Sequence, residues 1–91
     1  MQMQRTPRRV AGAVEAEVDG ERVVMSPADF SYFGLTGAGG EVWDLIDGQR
    51  TFGEIVQILR AKFAGDPAAI EAETLEFTDA LTVAGLVTID P

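Results

Sequence analysis

From residue 10 the chain alternates between apolar and polar positions. Val10, Val14, Ala16 and Val18 fall on one face, while Arg9, Glu15 and Glu17 fall on the other. That period of two predicts a half-buried strand over 10–18. Asp19-Gly20 follows, a pair that readily takes the positive φ angles of a tight hairpin turn. A second strand is therefore expected over 21–26. A two-residue loop sets Val18 opposite Glu21, Glu17 opposite Arg22, Ala16 opposite Val23 and Val14 opposite Met25. Opposite charges then meet on one face and apolar groups on the other, and a slip of one residue breaks both matches. The apolar face is expected to be the covered one. Ser26-Pro27-Ala28-Asp29 reads as a turn. A third strand is expected over 30–35, with Phe30 and Tyr32 on one side and Phe33 and Leu35 on the other. One side packs on the domain. The other lies under a helix or forms a binding surface.

After Thr36 the period changes. Val42, Trp43, Leu45 and Ile46 have helical spacing, Thr36 is placed to cap the first turn, and Gly48 follows the end. Gly37, Gly39 and Gly40 suit close backbone packing. No Lys-Ser/Thr follows them and no GxGxxG is present, so they do not form a phosphate loop. Thr51 and Glu54 make a capping box for a second helix reaching about residue 64. Phe52, Ile55, Val56, Leu59 and Phe63 form its expected buried stripe, and Arg60 and Lys62 complement the dipole at its end. Asp66-Pro67 opens a third helix, expected to reach about residue 84. Its core face reads Ile70, Thr74, Phe77, Leu81 and Ala84, with a second stripe of Leu75, Thr78 and Thr82 beside it. Leu86, Val87 and Ile89 read as a tail packing back on the core. Residues 1–9 show no periodicity and read as a flexible arm, leaving one domain over 10–91. The fold class is α+β: a three-stranded antiparallel sheet followed by a three-helix bundle, like a winged helix-turn-helix with its hairpin placed first.

Composition narrows the function. The 91 residues are 46% hydrophobic, normal for a globular domain. There is no Cys and no His, which removes disulfides, Cys/His zinc sites and imidazole catalysis. No cofactor is expected. Apolar runs are far shorter than the roughly 20 residues that span a bilayer, so no membrane partner is expected and a cytoplasmic location is. The net charge is −8. An acidic domain whose third helix carries neither Lys nor Arg is a poor partner for nucleic acid, which disfavours a winged-helix DNA-binding regulator. Glu73 and Glu76 are a carboxylate pair at helical spacing, which reads as solvated surface rather than a catalytic dyad. The chain is not expected to be an enzyme.

The ordered set of segments resembles the PqqD family. Tyr32-Phe33-Gly34-Leu35-Thr36 is similar to the family's third strand, and GGEVWDLIDG over 39–48 is similar to its "G-x-x-I-W-x-L-L-D-G" helix. Residues 50–56 resemble "R-T-v-x-E-I-V", and residues 75–87 resemble "L-x-F-L-x-x-L-x-x-x-G-L-L". Thr36 stands where the family usually has Asn, Thr78 where Leu is common, and Glu73 where Asp is frequent. The resemblance covers residues 14–88. It implies a recognition element that binds the leader segment of a ribosomally made precursor peptide. The leader adds as a strand to the third strand and enters a groove against the third helix. Such an element works as a peptide chaperone for a modifying enzyme, for example a leader peptidase or a radical SAM enzyme. On this basis the expected peptide contacts are Phe30, Ser31, Tyr32, Phe33, Gly34 and Leu35 on the strand. On the helix they are Glu71, Glu73, Leu75, Thr78 and Asp79, with Glu76 adding to the acidic charge. A lasso peptide, a radical-enzyme-modified peptide or pyrroloquinoline quinone are all compatible products. An adaptor that recruits the enzyme without holding a peptide is the competing reading. An open edge strand also allows a monomer or a weak dimer.

Overall fold

A computed structural model describes residues 2–90. After one 3-10 turn (Gln2–Gln4) the elements run β1 (Thr6–Arg9), β2 (Val14–Val18), β3 (Glu21–Met25), β4 (Tyr32–Gly34), α1 (Gly39–Leu45), α2 (Phe52–Lys62), α3 (Pro67–Val83) and β5 (Val87–Asp90). Strands β2-β3-β4 form one antiparallel sheet, and β1 and β5 form a second. The architecture is the expected α+β one: a three-stranded antiparallel sheet and three helices.

The β2–β3 hairpin keeps the register fixed by its two-residue turn, with Val14↔Met25, Ala16↔Val23, Glu17↔Arg22 and Val18↔Glu21. Asp19 (φ 53°) and Gly20 (φ 82°) take the left-handed turn positions. The face that is covered, however, is the opposite of the one expected. Val24 is completely buried, while Val14 and Val18 are about half exposed. Val24 pairs with Phe33, and Phe33 and Leu35 pack with it toward the helices. The hairpin pattern misleads because Val23-Val24 is apolar on both faces. The covered face is set by β4, whose Phe33 meets the helices. Arg22 holds the hairpin to α1: its guanidinium donates to Glu15 at 2.7 Å and to Asp44 at 2.9 Å.

The expected N-terminal arm is instead the 3-10 turn and β1. Thr6, Pro7, Arg8 and Arg9 pair with Asp90, Ile89, Thr88 and Val87. Thr6-Pro7-Arg8-Arg9 carries no apolar alternation of its own, and its partner strand lies some 80 residues on, so nothing local announces the pairing. Arg9 then donates to the Trp43 carbonyl at 2.7 Å and stacks over the indole ring, 4.6 Å from its centroid.

Helix α1 begins later than expected. Its cap position is Ala38, with no side-chain cap bond, and Thr36 only accepts the Gly39 N–H through its carbonyl. In α2 the Thr51–Glu54 capping box is complete, each partner satisfying the other's backbone N–H. Asp66 caps α3 by accepting from the Ala68 N–H, with Pro67 in the first turn. Threonines inside α3 satisfy their own hydroxyls. Thr74, Thr78 and Thr82 donate to the carbonyls of Ile70, Thr74 and Thr78. The core gathers Val24, Leu35, Val42, Trp43, Ile46, Ile55, Leu59, Leu81, Leu86 and Val87. Phe63, expected in the buried stripe of α2, stands at the C-cap and is exposed.

Candidate peptide-binding site

Strand β4 is an edge of its sheet. On its inner side, Leu35 N–H donates to the Arg22 carbonyl and Ser26 N–H donates to the Ser31 carbonyl, both at 2.9 Å. Residues 31, 33 and 35 thus turn their backbone groups toward β3. By the alternation of an antiparallel ladder, Tyr32 and Gly34 turn their N–H and C=O groups away from the sheet. The opposite edge, β2, is guarded by Glu15 and Glu17; β4 carries no charge. Strand β4 is therefore the uncharged edge of this sheet.

An apolar cavity of about 480 Å³ lies between α1, the end of α2 and the first half of α3. Val42, Leu59, Phe63, Ile70 and Phe77 line it, with the Asp66 and Glu73 residues also on the wall. Phe77 links cavity and strand, for its ring meets Phe33 edge to face with centroids 5.5 Å apart. Gly39 makes room for Phe77. A Cβ at that position would lie 2.7 Å from the ring.

The expected contacts separate into groups. Tyr32, Phe33 and Gly34 form the edge itself, and Leu35 is buried beneath it. Ser31 is held locally, its hydroxyl and N–H both donating to Asp29 Oδ1. Those bonds, the hydroxyl's first, keep the Asp29 carboxyl below its usual range. Phe30 is 70% exposed and sits in the turn before β4. On α3, Glu73 reaches the cavity and Asp79 is exposed to solvent. Glu71 is committed to α2, accepting from Arg60 at 3.2 Å. Leu75, one turn further on, follows Glu71 around the helix and is not part of the cavity wall. Thr78 is completely buried, with its hydroxyl bonded inside the helix, so it lines no open groove. Helix α3 meets β4 through the Phe77 ring on Phe33, and Ile70, Glu73 and Phe77 share the cavity wall, which Leu75, Thr78 and Thr82 do not reach. Sequence reasoning assigned Phe63, Ile70 and Phe77 to the core because helical spacing does not distinguish a filled interior from a cavity wall. Gly39, directly opposite Phe77, was the signal of a close approach there.

No metal-binding cluster occurs among the described residues, and no helix among them is long and apolar enough to cross a membrane.

The sequence profile of Coenzyme PQQ synthesis protein D (PqqD) matches residues 21–87. No curated protein matches the chain. Two solved structures share the fold. One is TbiB1 in complex with the TbiA(beta) leader peptide, with a TM-score of 0.76 and 28% identity over 88% of this chain and 93% of that one. The other is the solution structure of the PqqD truncation of Methylobacterium extorquens PqqCD, a stand-alone recognition element for ribosomally synthesized and post-translationally modified peptides. It has a TM-score of 0.71 and 28% identity over 90% of this chain and 87% of that one. With the profile covering most of the length and the fold agreeing throughout, this chain belongs to the PqqD family.

Proposed function

We propose that this chain is a non-catalytic carrier that captures the leader segment of a ribosomally made precursor peptide and presents it to a peptide-modifying enzyme in the cytoplasm. The leader adds as a strand along β4, and an apolar leader side chain enters the cavity beside Phe77. One observation carries this reading: the uncharged edge of β4 continues through the Phe33–Phe77 contact into an apolar cavity large enough for a side chain. The likeness to a protein solved with its leader peptide supports it. Backbone bonds alone are not sufficient. Each contributes about 0.5–1.5 kcal/mol net, whereas a micromolar complex needs about 8 kcal/mol. A fully buried aromatic or branched anchor adds roughly 1.5–3 kcal/mol, so the cavity carries selection as well as affinity. Glu73 and Asp66 favour a basic residue next to that anchor.

The DNA-binding alternative loses further ground here. Arg50, Arg60 and Lys62, the basic residues of the helical half, each pair with a carboxylate of the chain itself, which leaves that half without a free basic stripe.

The experiment is calorimetry with synthetic leader peptides of ribosomally made precursors, the TbiA(beta) leader among them. Tyr32→Pro removes an outward N–H without touching the β3 ladder. It is expected to lower affinity at least tenfold while the fold stays intact. Undiminished affinity in that variant would reject strand addition at β4.

A further inference from the structure

The face of the sheet turned away from the helices is apolar and uncovered. Val14, Met25 and Tyr32 form one row across the three strands, and Ala16, Val23 and Gly34 form the next. Val14, Val18 and Tyr32 are 49%, 46% and 67% exposed. Burial of Val24 on the other face shows that the helices leave this one free. Contiguous exposed apolar surface of this kind marks an interaction site.

A second observation lies beside it. Phe30, the residue before the edge strand's Ser31, is both strongly exposed and left-handed, with φ 61°. A bulky side chain is a rare occupant of that region. The Phe30 N–H donates to the Ser26 carbonyl at 2.9 Å, so this conformation closes the turn into β4 and leaves the ring on the surface; strained positions of this kind cluster at binding surfaces.

Charge selects the occupant. Asp19 lies at the hairpin tip, Glu21 shares the outer face with Val18, and Asp29 precedes Phe30. Over residues 10–49 the one basic residue is Arg22, and it is drawn to the other face by Glu15 and Asp44. A second copy of the chain would set these acids against themselves. Anionic lipid and nucleic acid meet the same repulsion. The surface that fits is an apolar patch rimmed by Lys and Arg.

We propose that the outer face of the β2–β3–β4 sheet, with Phe30, is the docking surface for the peptide-modifying enzyme, through an apolar patch on the enzyme ringed by basic residues. This rests on the reading of the chain as a peptide carrier. Tyr32 joins the two surfaces: its backbone lies on the peptide edge and its side chain on the enzyme face. An enzyme seated there contacts the delivered peptide directly.

The test uses the full chain, a labelled leader peptide that it binds and the purified enzyme that modifies that leader's precursor, with each binding measured separately. The double variant Val14→Thr, Val18→Thr keeps β-branched residues and removes apolar surface. It is expected to weaken enzyme binding at least tenfold and to leave leader affinity within twofold. Phe30→Gly relieves the left-handed strain, so it is expected to raise the thermal midpoint while weakening enzyme binding. Phe77→Ala is expected to do the reverse of the double variant, weakening the leader and sparing the enzyme. Raising salt from 50 to 500 mM is expected to weaken enzyme binding as the rim charges are screened. Enzyme binding unchanged in both the double variant and Phe30→Gly overturns the proposal. So does an enzyme that does not bind the wild-type chain. A wild-type dimer in sedimentation equilibrium that the double variant dissociates also overturns it, because a second copy is then the occupant. Patch-dependent enzyme binding with no leader binding upholds this surface and defeats the carrier reading instead.

Discussion

Gly39 and Phe77 set the shape of the cavity between them. A methyl group at residue 39 meets the Phe77 ring at 2.7 Å, so the ring has to swing, and the open space it can enter is the cavity. Overpacking of this kind costs about 1–3 kcal/mol in a closed core; here the open side keeps the cost near the lower end. Gly39→Ala is expected to lower the thermal midpoint by a few degrees. It should also weaken leader binding roughly tenfold, equivalent to about 1.4 kcal/mol, and calorimetry on the variant checks both. Thr78 gives the contrasting case. Its hydroxyl bonds only within α3 and its side chain is wholly buried, so Thr78→Val is expected to leave leader affinity unchanged. A loss of affinity in Thr78→Val would restore the groove to the other stripe of the helix. Which stripe lines the cavity was not legible in the sequence: both read as apolar or small at helical spacing, and the close approach of Gly39 to Phe77 is a long-range contact.

At the scale of elements, local chemistry was legible wherever a side chain bonds its own neighbourhood. The Asp19-Gly20 turn fixed the hairpin register, and the Thr51–Glu54 box and the Asp66-Pro67 pair fixed two helix starts. Thr51→Ala removes one of these caps and is expected to cost about 1 kcal/mol, read as a lower urea midpoint with an unchanged slope. The elements missed are those decided at long range. Strand β1 depends on β5 at the other end of the chain, and the covered face of the hairpin depends on helices that follow it. Glu15 also misled, because its exposed-looking charge is on the helix-facing side. It is tolerated there at the rim, where Arg22 bridges it to Asp44.

For the molecule as a whole, three hydrogen-bonded carboxyls couple stability to pH. The Arg22 guanidinium, mainly through its hydrogen bond, holds the Asp44 carboxyl below its ordinary range. Backbone N–H groups, that of Arg50 first and then Gln49, do the same for Asp47, as the Ser31 bonds do for Asp29. A carboxyl whose folded pKa is depressed stabilises the fold fully above its unfolded value of about 3.9 and loses that contribution as pH falls through the folded value. Thermal midpoints are therefore expected to hold from pH 7 to 5 and to drop below pH 4. Asp44→Asn should lower the midpoint at pH 7 and flatten the acid limb, so that the two curves converge at low pH; parallel curves would mean the Arg22 bridge contributes nothing.

Hydrogen exchange at single amides tests the docking edge most directly. In the free protein the Tyr32 and Gly34 amides are expected to exchange fast, since the ladder turns them away from β3. With saturating leader peptide both are expected to become strongly protected, and the Val14–Val18 edge is expected to stay unchanged. Protection that appears along β2 instead, or that leaves Tyr32 and Gly34 exchanging as before, would contradict the account.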